Sequence, residues 1–301
     1  MLCHQADYLS AALLEPGERV SSDWHNALKL GFDVSHGALC YPEWMFALLL
    51  EAGPVGRTLT ADALPRVVRP GEPIGSVGER AAARWGLPRT CLVCGGTTDS
   101  NAAFLAATGG VCSAGTAVSS LGSTIALKLL SDVRVDDAAL GLYSHRLGES
   151  WLVGGASNSG CAVLREHFTD ARLAELSLLI DPEIERDLGY VPLRAGTLGE
   201  RFPAPSADAV QRLAPRPPDD AHFLHAILDS LARVEARGYA LLAERGAGPP
   251  HTILTCGGGA ANEQFTRIRS RVLPVPAVCA RTMEASVGVA LLALSEGAIG
   301  G

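Results

Sequence analysis

The chain has 301 residues and a formal net charge of −7, with 48% apolar and 19% charged residues. This composition is typical of a folded globular protein and argues against a disordered or fibrous chain. The acidic balance argues against nucleic acid as a partner, and apolar runs such as residues 287–294 are too short to span a bilayer.

The first part of the chain predicts short helices separated by loops. Helices are expected at residues 6–14 and 44–50, and a loop rich in Pro and Gly follows at residues 64–75. The next short helix, GERAAARWG, ends at Gly86, a residue type that suits the left-handed cap of a helix.

Two similar segments follow: PRTCLVCGGTTDSN at residues 88–101 and PHTILTCGGGAANE at residues 250–263. Each predicts a buried strand that ends in consecutive glycines and opens into a helix. Such a turn lets ligand phosphates approach backbone N–H groups at the positive end of the helix. Only the first copy carries an acid, Asp99, just past the glycines. Asp99 suits a helix N-cap, and it also suits a general base at the mouth of a cleft.

The remaining elements alternate strands with helices, which predicts an α/β architecture. A β-hairpin is expected over residues 111–129, with its turn at Gly122, and a strand at residues 151–153 leads into the turn GGASNSG. A helix is expected from residue 162, followed by a surface loop at residues 201–219. An amphipathic helix over about 220–245 and a closing helix from about 284 complete the chain.

Several familiar binding and catalytic motifs are missing from these turns. No glycine is followed by the Lys-Ser/Thr pair of a phosphate-binding loop. Asn262 stands where a dinucleotide fingerprint needs its third glycine, and Ser159 stands where a nucleophile elbow needs its closing glycine.

Taken in order, the motifs resemble those of the FGGY carbohydrate kinases, whose fold is the two-lobed actin-like (ribonuclease H-like) ATPase. The segment LPRVVRPGEPIG with GLPRTCLVCGGTTDSNAAFLA is similar to the one that leads to the family's catalytic aspartate. VSSLGSTIAL resembles the hairpin that binds nucleotide phosphate, and GGASNSGCAVL resembles the turn beside the adenine. CGGGAANEQFTRIRSRVL with EASVGVALLA resembles the signature that closes the C-terminal lobe. HQADYLSAALL, SSDWHNALKLGFD, YPEW and LGERFP look most like the plant and cyanobacterial D-ribulokinase or xylulose-kinase-like branch.

The resemblance implies ATP-dependent phosphorylation of a sugar hydroxyl, with a pentulose such as D-ribulose or D-xylulose as substrate and Mg²⁺ as the metal. Asp99 would be the general base, and Ser100 would contact the sugar beside it. The nucleotide would be bound by Gly122, Ser123, Gly160, Gly258, Gly259 and Asn262. Ser123 stands where the family usually has Thr, so a hydroxyl is kept. For the glycines the alternative is a turn or close helix packing, and for Asn262 it is an Asx cap.

The family's opening strand and Asp-Gly-Thr loop, whose acid organises Mg²⁺, do not occur in this sequence. We therefore expect a partial N-terminal lobe at residues 1–108 and a complete C-terminal lobe at residues 109–301, and we assign no metal ligand. The strand at residues 90–94 is then expected to lack sheet neighbours, with Trp24 and Trp44 exposed.

Three functional hypotheses follow. The chain is a sugar kinase by lineage, although alone it is expected to phosphorylate D-ribulose or D-xylulose weakly or not at all. Alternatively, it is an inactive remnant that binds nucleotide or acts as an interaction module. A chaperone-like relative of the same fold is the third alternative, which the sugar-kinase motifs disfavour. No membrane partner is expected, and the location is expected to be cytoplasmic or organellar.

Overall fold

The computed structural model describes residues 2–35, 37, 39–51, 53 and 61–295. The chain forms two compact units, which we call unit 1 (Met1–Gly110 with Glu284–Gly301) and unit 2 (Val111–Met283). Within the described ranges, no helix combines the length and the apolar character that a membrane crossing requires.

Unit 1 combines helices with two small sheets. Its strands are β1 (Ser21–Asp23), β2 (Arg66–Val68), β3 (Pro73–Ser76) and β4 (Leu92–Cys94), and its helices are α1 (Gln5–Leu13), α2 (Trp24–Ala27), α3 (Glu43–Glu51), α4 (Glu79–Trp85), α5 (Asp99–Thr108) and α9 (Ala285–Leu294). β1 pairs with β2 in parallel, and β3 pairs with β4 in antiparallel orientation. A small core of Leu14, Val77, Ala81 and Val93 packs α1, α4 and β4 together.

Three expectations for unit 1 are wrong. The predicted loop at residues 64–75 contains β2 and most of β3, and β3 pairs with β4, so the strand predicted at residues 90–94 has a neighbour. These short strands are stabilised by pairing with distant segments, which local residue patterns do not reveal. Trp24 is buried in the core, whereas Trp44 is 60% exposed as expected.

The closing helix packs within unit 1. α9 lies against α5, and Gly288 is so close to this helix that an added Cβ would overlap the backbone of Ala102. Residues 109–301 are expected to form one lobe, but in the structure α9 packs with residues that precede Gly110. The division into a partial and a complete family lobe stays a prediction.

Unit 2 is built on a mixed sheet. Its strands are β5 (Thr116–Leu121), β6 (Ile125–Ser131), β7 (Tyr143–Leu147), β8 (Ser150–Ala156), β9 (Thr252–Cys256) and β10 (Ala277–Cys279). In this described part of the chain the strand order is β10-β9-β5-β6-β8-β7. β10, β9 and β5 run in parallel, whereas β5, β6, β8 and β7 form antiparallel pairs. The predicted hairpin is thus β5–β6.

Three helices belong to unit 2: α6 (Asp170–Ser177), α7 (Asp220–Leu242) and α8 (Glu263–Val272). α7 begins where the Asp219 carboxylate accepts a hydrogen bond from His222 N, and it buries an apolar stripe that includes Phe223, Ile227 and Leu231. The helix predicted from residue 162 is instead a 3₁₀ helix, Cys161–Glu166, followed by α6.

A buried ion pair joins α7, α8 and the sheet. The Arg269 guanidinium donates to the Glu235 carboxylate at 2.6 and 2.7 Å, and both side chains are fully buried. Ser119 on β5 donates to the same carboxylate at 2.5 Å and is hydrogen-bonded to Tyr239 at 2.7 Å. Burial raises the pKa of the Tyr239 hydroxyl, so it stays protonated at neutral pH.

We expect Glu235→Gln to lower the free energy of unfolding by about 3–5 kcal/mol, because it leaves the Arg269 charge buried without a counter-charge. The control is Glu183→Gln, which removes an ion pair at 3.0 Å to Arg267, an exposed residue on α8, the helix that also carries Arg269. That change is expected to cost less than about 1 kcal/mol. Urea denaturation followed by circular dichroism measures both, and equal losses would contradict the prediction.

Candidate functional site

The first candidate site is the start of α5 in unit 1. Asp99 is the first helical residue and lies exposed at the positive end of the helix, where its Oδ1 accepts a hydrogen bond from Ser100 N at 2.7 Å. The N-cap position belongs to Thr98, so the expectation that Asp99 also caps the helix is wrong. Because the Asp99 side chain is exposed, the carboxylate is accessible to a ligand.

A buried polar cluster supports the turn that precedes Asp99. Asp23 caps α2 by accepting from His25 N at 2.9 Å and Asn26 N at 3.0 Å. The His25 ring Nδ1 is hydrogen-bonded to Thr97 Oγ1 at 2.6 Å, and both Asp23 and His25 are buried. The turn before the candidate base is therefore attached to the β1–α2 corner.

The second candidate site lies in unit 2, where two turns interlock. The hairpin turn (residues 122–124) joins β5 to β6, and the serine turn (residues 157–160) follows β8. Cys161 N donates to Gly122 O at 2.9 Å, while Ile125 N donates to Ser159 O at 2.8 Å. The backbone of Gly160 lies so close that a Cβ there would overlap Ser123 and Thr124. Only glycine fits at this position without displacing the hairpin turn.

The glycine turn (residues 257–261) joins the same group. It follows β9 as a 3₁₀ turn before α8. A Cβ at Gly259 would lie 2.8 Å from Leu121 Cβ and 3.0 Å from Cys161 Sγ, so this turn packs against the residues that adjoin the other two turns. Burial raises the pKa of Cys161 to about 11, and the thiol is therefore neutral at physiological pH.

The three turns leave one set of residues open. Ser123 and Gly258 are exposed, and a Cβ at Gly258 meets no atom within 4 Å. Asn262 is instead engaged: its Oδ1 accepts from Phe265 N at 3.0 Å, capping α8, and its Nδ2 donates to Ser177 Oγ at 2.8 Å. The Asx-cap interpretation of Asn262 is thus confirmed, while a contact with adenine stays a prediction.

The structure brings together most of the predicted residues of each unit. In unit 1, Asp99 and Ser100 are adjacent, and in unit 2 the turns carrying Gly122, Ser123, Gly160, Gly258 and Gly259 converge around the end of β5. The described residues contain no group of three or more His, Cys, Asp or Glu side chains that could hold a metal ion.

Sequence reasoning missed Asp23, His25 and Glu200 as supports of these turns. Asp23 and His25 lie in SSDWHNALKLGFD and Glu200 lies in LGERFP, two segments noted only for their resemblance to relatives. An acid directly before a short helix was a usable local signal for the Asp23 cap. Nothing local indicates the contacts of His25 or Glu200, which are made across 72 and more than 40 residues respectively.

Comparison with known proteins agrees with this geometry. The model of the FGGY family of carbohydrate kinases, C-terminal domain, matches residues 110–296. This range contains the hairpin, serine and glycine turns, and it therefore covers every residue of the second candidate site.

Solved structures share the fold. The ligand-bound xylulose kinase from Lactobacillus acidophilus superimposes with a TM-score of 0.78 at 14% identity, covering 97% of this chain and 58% of that one. The xylulose kinase from Rhodospirillum rubrum gives 0.77 at 22% identity, covering 98% and 58%. The Plasmodium falciparum glycerol kinase with ADP gives 0.77 at 17% identity, covering 98% and 57%. The predicted actin-like (ribonuclease H-like) α/β fold is confirmed, and the chain spans about 58% of the length of the first structures that it matches.

We expect Gly160→Ala to destabilise unit 2 by about 1–3 kcal/mol, because its methyl group overlaps backbone atoms that cannot rotate away. Gly258→Ala is the matched control, since the same methyl group enters open space. Thermal unfolding followed by circular dichroism compares the two variants. A melting temperature that falls equally in both would show that the interlocked turns are not tightly packed.

Proposed function

Because the chain belongs to the FGGY family of carbohydrate kinases, we propose that it serves the ATP-dependent phosphorylation of a sugar hydroxyl, with a pentulose such as D-ribulose or D-xylulose as the acceptor. The observation that carries the proposal is the convergence of three turns in unit 2, with Ser123 and Gly258 left open. The exposed carboxylate of Asp99 at the start of α5 supports the other part of the proposal, a general base for the sugar hydroxyl.

The nucleotide is proposed to bind at the converging turns. Ser123 offers a hydroxyl and the hairpin turn offers backbone N–H groups, which are donors suited to phosphate oxygens. Gly258 lets the nucleotide lie directly against the backbone, because no side chain covers it. A neutral thiol at Cys161 brings no negative charge to this region. Gly122, Gly160 and Gly259 shape these turns, and Asn262 caps the helix beside them.

Asp99 is proposed to act as the general base. Its carboxylate takes the proton of the sugar hydroxyl while that oxygen forms a bond to the γ-phosphorus of ATP, and the bond to the ADP oxygen breaks. The hydrogen bond between Thr97 and the buried His25 anchors the turn that precedes Asp99. Ser100 lies beside it for contact with the sugar.

Mg²⁺ supplies neutralisation of phosphate charge in reactions of this class. The described residues of this chain do not form a cluster that fits the ion. The roles proposed for this chain are accordingly limited to the nucleotide turns and the base.

The proposal of a pentulose as the acceptor rests on similarity to other kinases in sequence motifs and in fold. The sequence motifs resemble the D-ribulokinase or xylulose-kinase-like branch, and two of the similar structures are described as xylulose kinases. A gluconate kinase from Lactobacillus acidophilus is equally similar, with a TM-score of 0.79 at 14% identity. The acceptor is therefore to be determined by assaying pentuloses beside gluconate and glycerol.

Nucleotide binding without turnover is the alternative function. It is favoured by the coverage of about 58% of the similar structures, because the turns of unit 2 are present while the described residues hold no metal cluster. Binding and turnover are therefore measured separately in the two experiments below.

We expect the chain to bind ADP and expect Gly258→Leu to weaken that binding by about tenfold or more, because the added side chain enters the space assigned to the nucleotide. The melting temperature should change little, since Gly258 is exposed and a Cβ there meets no protein atom within 4 Å. Isothermal titration calorimetry measures the affinity. Thr252→Leu, an exposed change at the opposite end of β9, is the control. ADP binding that tolerates Gly258→Leu would contradict the proposed position.

We expect any turnover of ATP with D-ribulose or D-xylulose to be weak in this chain and to be lost in Asp99→Asn, while ADP affinity is unchanged. The control is Glu79→Gln, which changes the first-turn acid of α4, another exposed helix start in unit 1. A coupled ADP-release assay makes the measurement. Turnover that survives Asp99→Asn would refute the general base, and ADP binding with no turnover in the wild type would favour the alternative.

A further inference from the structure

The long connection between α6 and α7 carries a glutamate that the proposed mechanism does not use. Glu200 forms a short two-residue bridge with Ser206, in which each backbone amide donates to the other's carbonyl at 2.8 Å. Two residues on, Phe202 is 1% exposed, and its ring fills a slot where a Cβ at Gly155 or Gly238 would overlap it. Because β8 and α7 hold this ring, the backbone at Glu200 is fixed relative to the sheet.

The Glu200 carboxylate binds the serine turn with both oxygens. Oε1 accepts from Asn158 N at 2.7 Å, and it also accepts from Arg201 N at 2.9 Å within its own segment. Oε2 accepts from the hydroxyls of Ser157 at 2.7 Å and Ser159 at 3.0 Å. Ser159 N adds a longer contact at 3.3 Å, and Asn158 Nδ2 donates to Gly199 O at 2.9 Å.

The Glu200 carboxylate occupies the position at which a turn with converging N–H and hydroxyl donors would bind an external anion. Successive backbone N–H groups and hydroxyls that point to one spot are a typical anion site. Here the spot is filled by an acid of the same chain, so the amides of Asn158 and Ser159 are not available to a phosphate. The serine turn therefore has a different task from the hairpin turn.

That task is to hold Gly160 against the hairpin turn. Ser157 N donates to Ile125 O at 2.8 Å and Ile125 N to Ser159 O at 2.8 Å, so the serine turn extends the β6–β8 pairing to the root of the hairpin turn. Ser157 and Ser159 are buried, and charge-assisted hydrogen bonds to them are strong and directional.

We propose that Glu200 is a positioning residue, which acts as an internal anion to fix the serine turn and, through it, the hairpin turn that presents Ser123. The consequence for nucleotide binding rests on the proposed function of that site. The conformational part does not, because it concerns contacts within the chain.

Three variants separate positioning from general stability. Glu200→Ala removes every hydrogen bond of the carboxylate. Glu200→Gln keeps its size, and the new NH₂ group can face Ser157 and Ser159, whose hydroxyls rotate and become acceptors. Glu166→Ala is the matched control, since Glu166 also tethers this connection, through Ala195 N at 2.9 Å and Gln211 Nε2 at 2.7 Å, but at a different point.

Hydrogen exchange and ADP titration of the full chain provide the measurements. Glu200→Ala is expected to speed exchange of the amides at residues 158–162 and to weaken ADP binding by about 10- to 100-fold, as expected for the loss of hydrogen bonds to a charged group. Glu200→Gln should show a smaller loss, and Glu166→Ala should leave both quantities unchanged. Added acetate should partly restore exchange protection and ADP affinity in Glu200→Ala alone, because it refills the vacated anion position.

The outcomes distinguish this inference from the proposed function. If the wild type binds ADP and Glu200→Ala matches it in affinity and exchange, the positioning role is wrong. If Glu166→Ala has the same effects as Glu200→Ala, the effect is one of general loosening and the role is again wrong. If the wild type does not bind ADP, the proposed nucleotide site fails, and the exchange rates with and without acetate still decide whether Glu200 fixes the turn.

Discussion

The buried pair between Arg269 and Glu235 is the interaction on which the geometry of unit 2 depends. It joins α8 to α7, and Ser119 connects the same carboxylate to β5. β5 ends at Leu121, directly before the hairpin turn, and α8 begins directly after the glycine turn. A buried charge is tolerated only when its partners stay in place, so the pair fixes the distance between the two elements that carry the open residues Ser123 and Gly258.

Close backbone packing also holds the three turns together around the end of β5. Gly160 and Gly259 allow the serine and glycine turns to approach the end of β5 without side chains between them. Glu200 adds a charge from within the chain, which accepts hydrogen bonds from Asn158 N and Ser159 N of the serine turn. These contacts within the chain hold the three turns together, which lowers the ordering cost of binding a ligand there.

Much of this arrangement could be predicted from the sequence because local patterns carry it. The β5–β6 hairpin, a helix just past the first pair of glycines and the long amphipathic helix α7 follow from β-branched residues, glycine positions and an apolar stripe. Contacts between distant segments were not predictable in this way. The pairing of β3 with β4, the packing of α9 on α5 and the hydrogen bonds of Glu200 to the serine turn depend on where the fold places segments tens of residues apart. Thr98 rather than Asp99 occupies the N-cap position of α5, a shift of one residue that local sequence does not resolve.

The central claim is that the converging turns of unit 2 form a nucleotide site. Amide chemical shifts of the ¹⁵N-labelled chain, recorded during an ADP titration, test it most directly because they report each turn separately. The account predicts saturable changes that are largest at Gly122, Ser123 and Gly258, with smaller changes at Gly160. Saturable changes confined to residues outside the three turns, or no change at any ADP concentration, would contradict it.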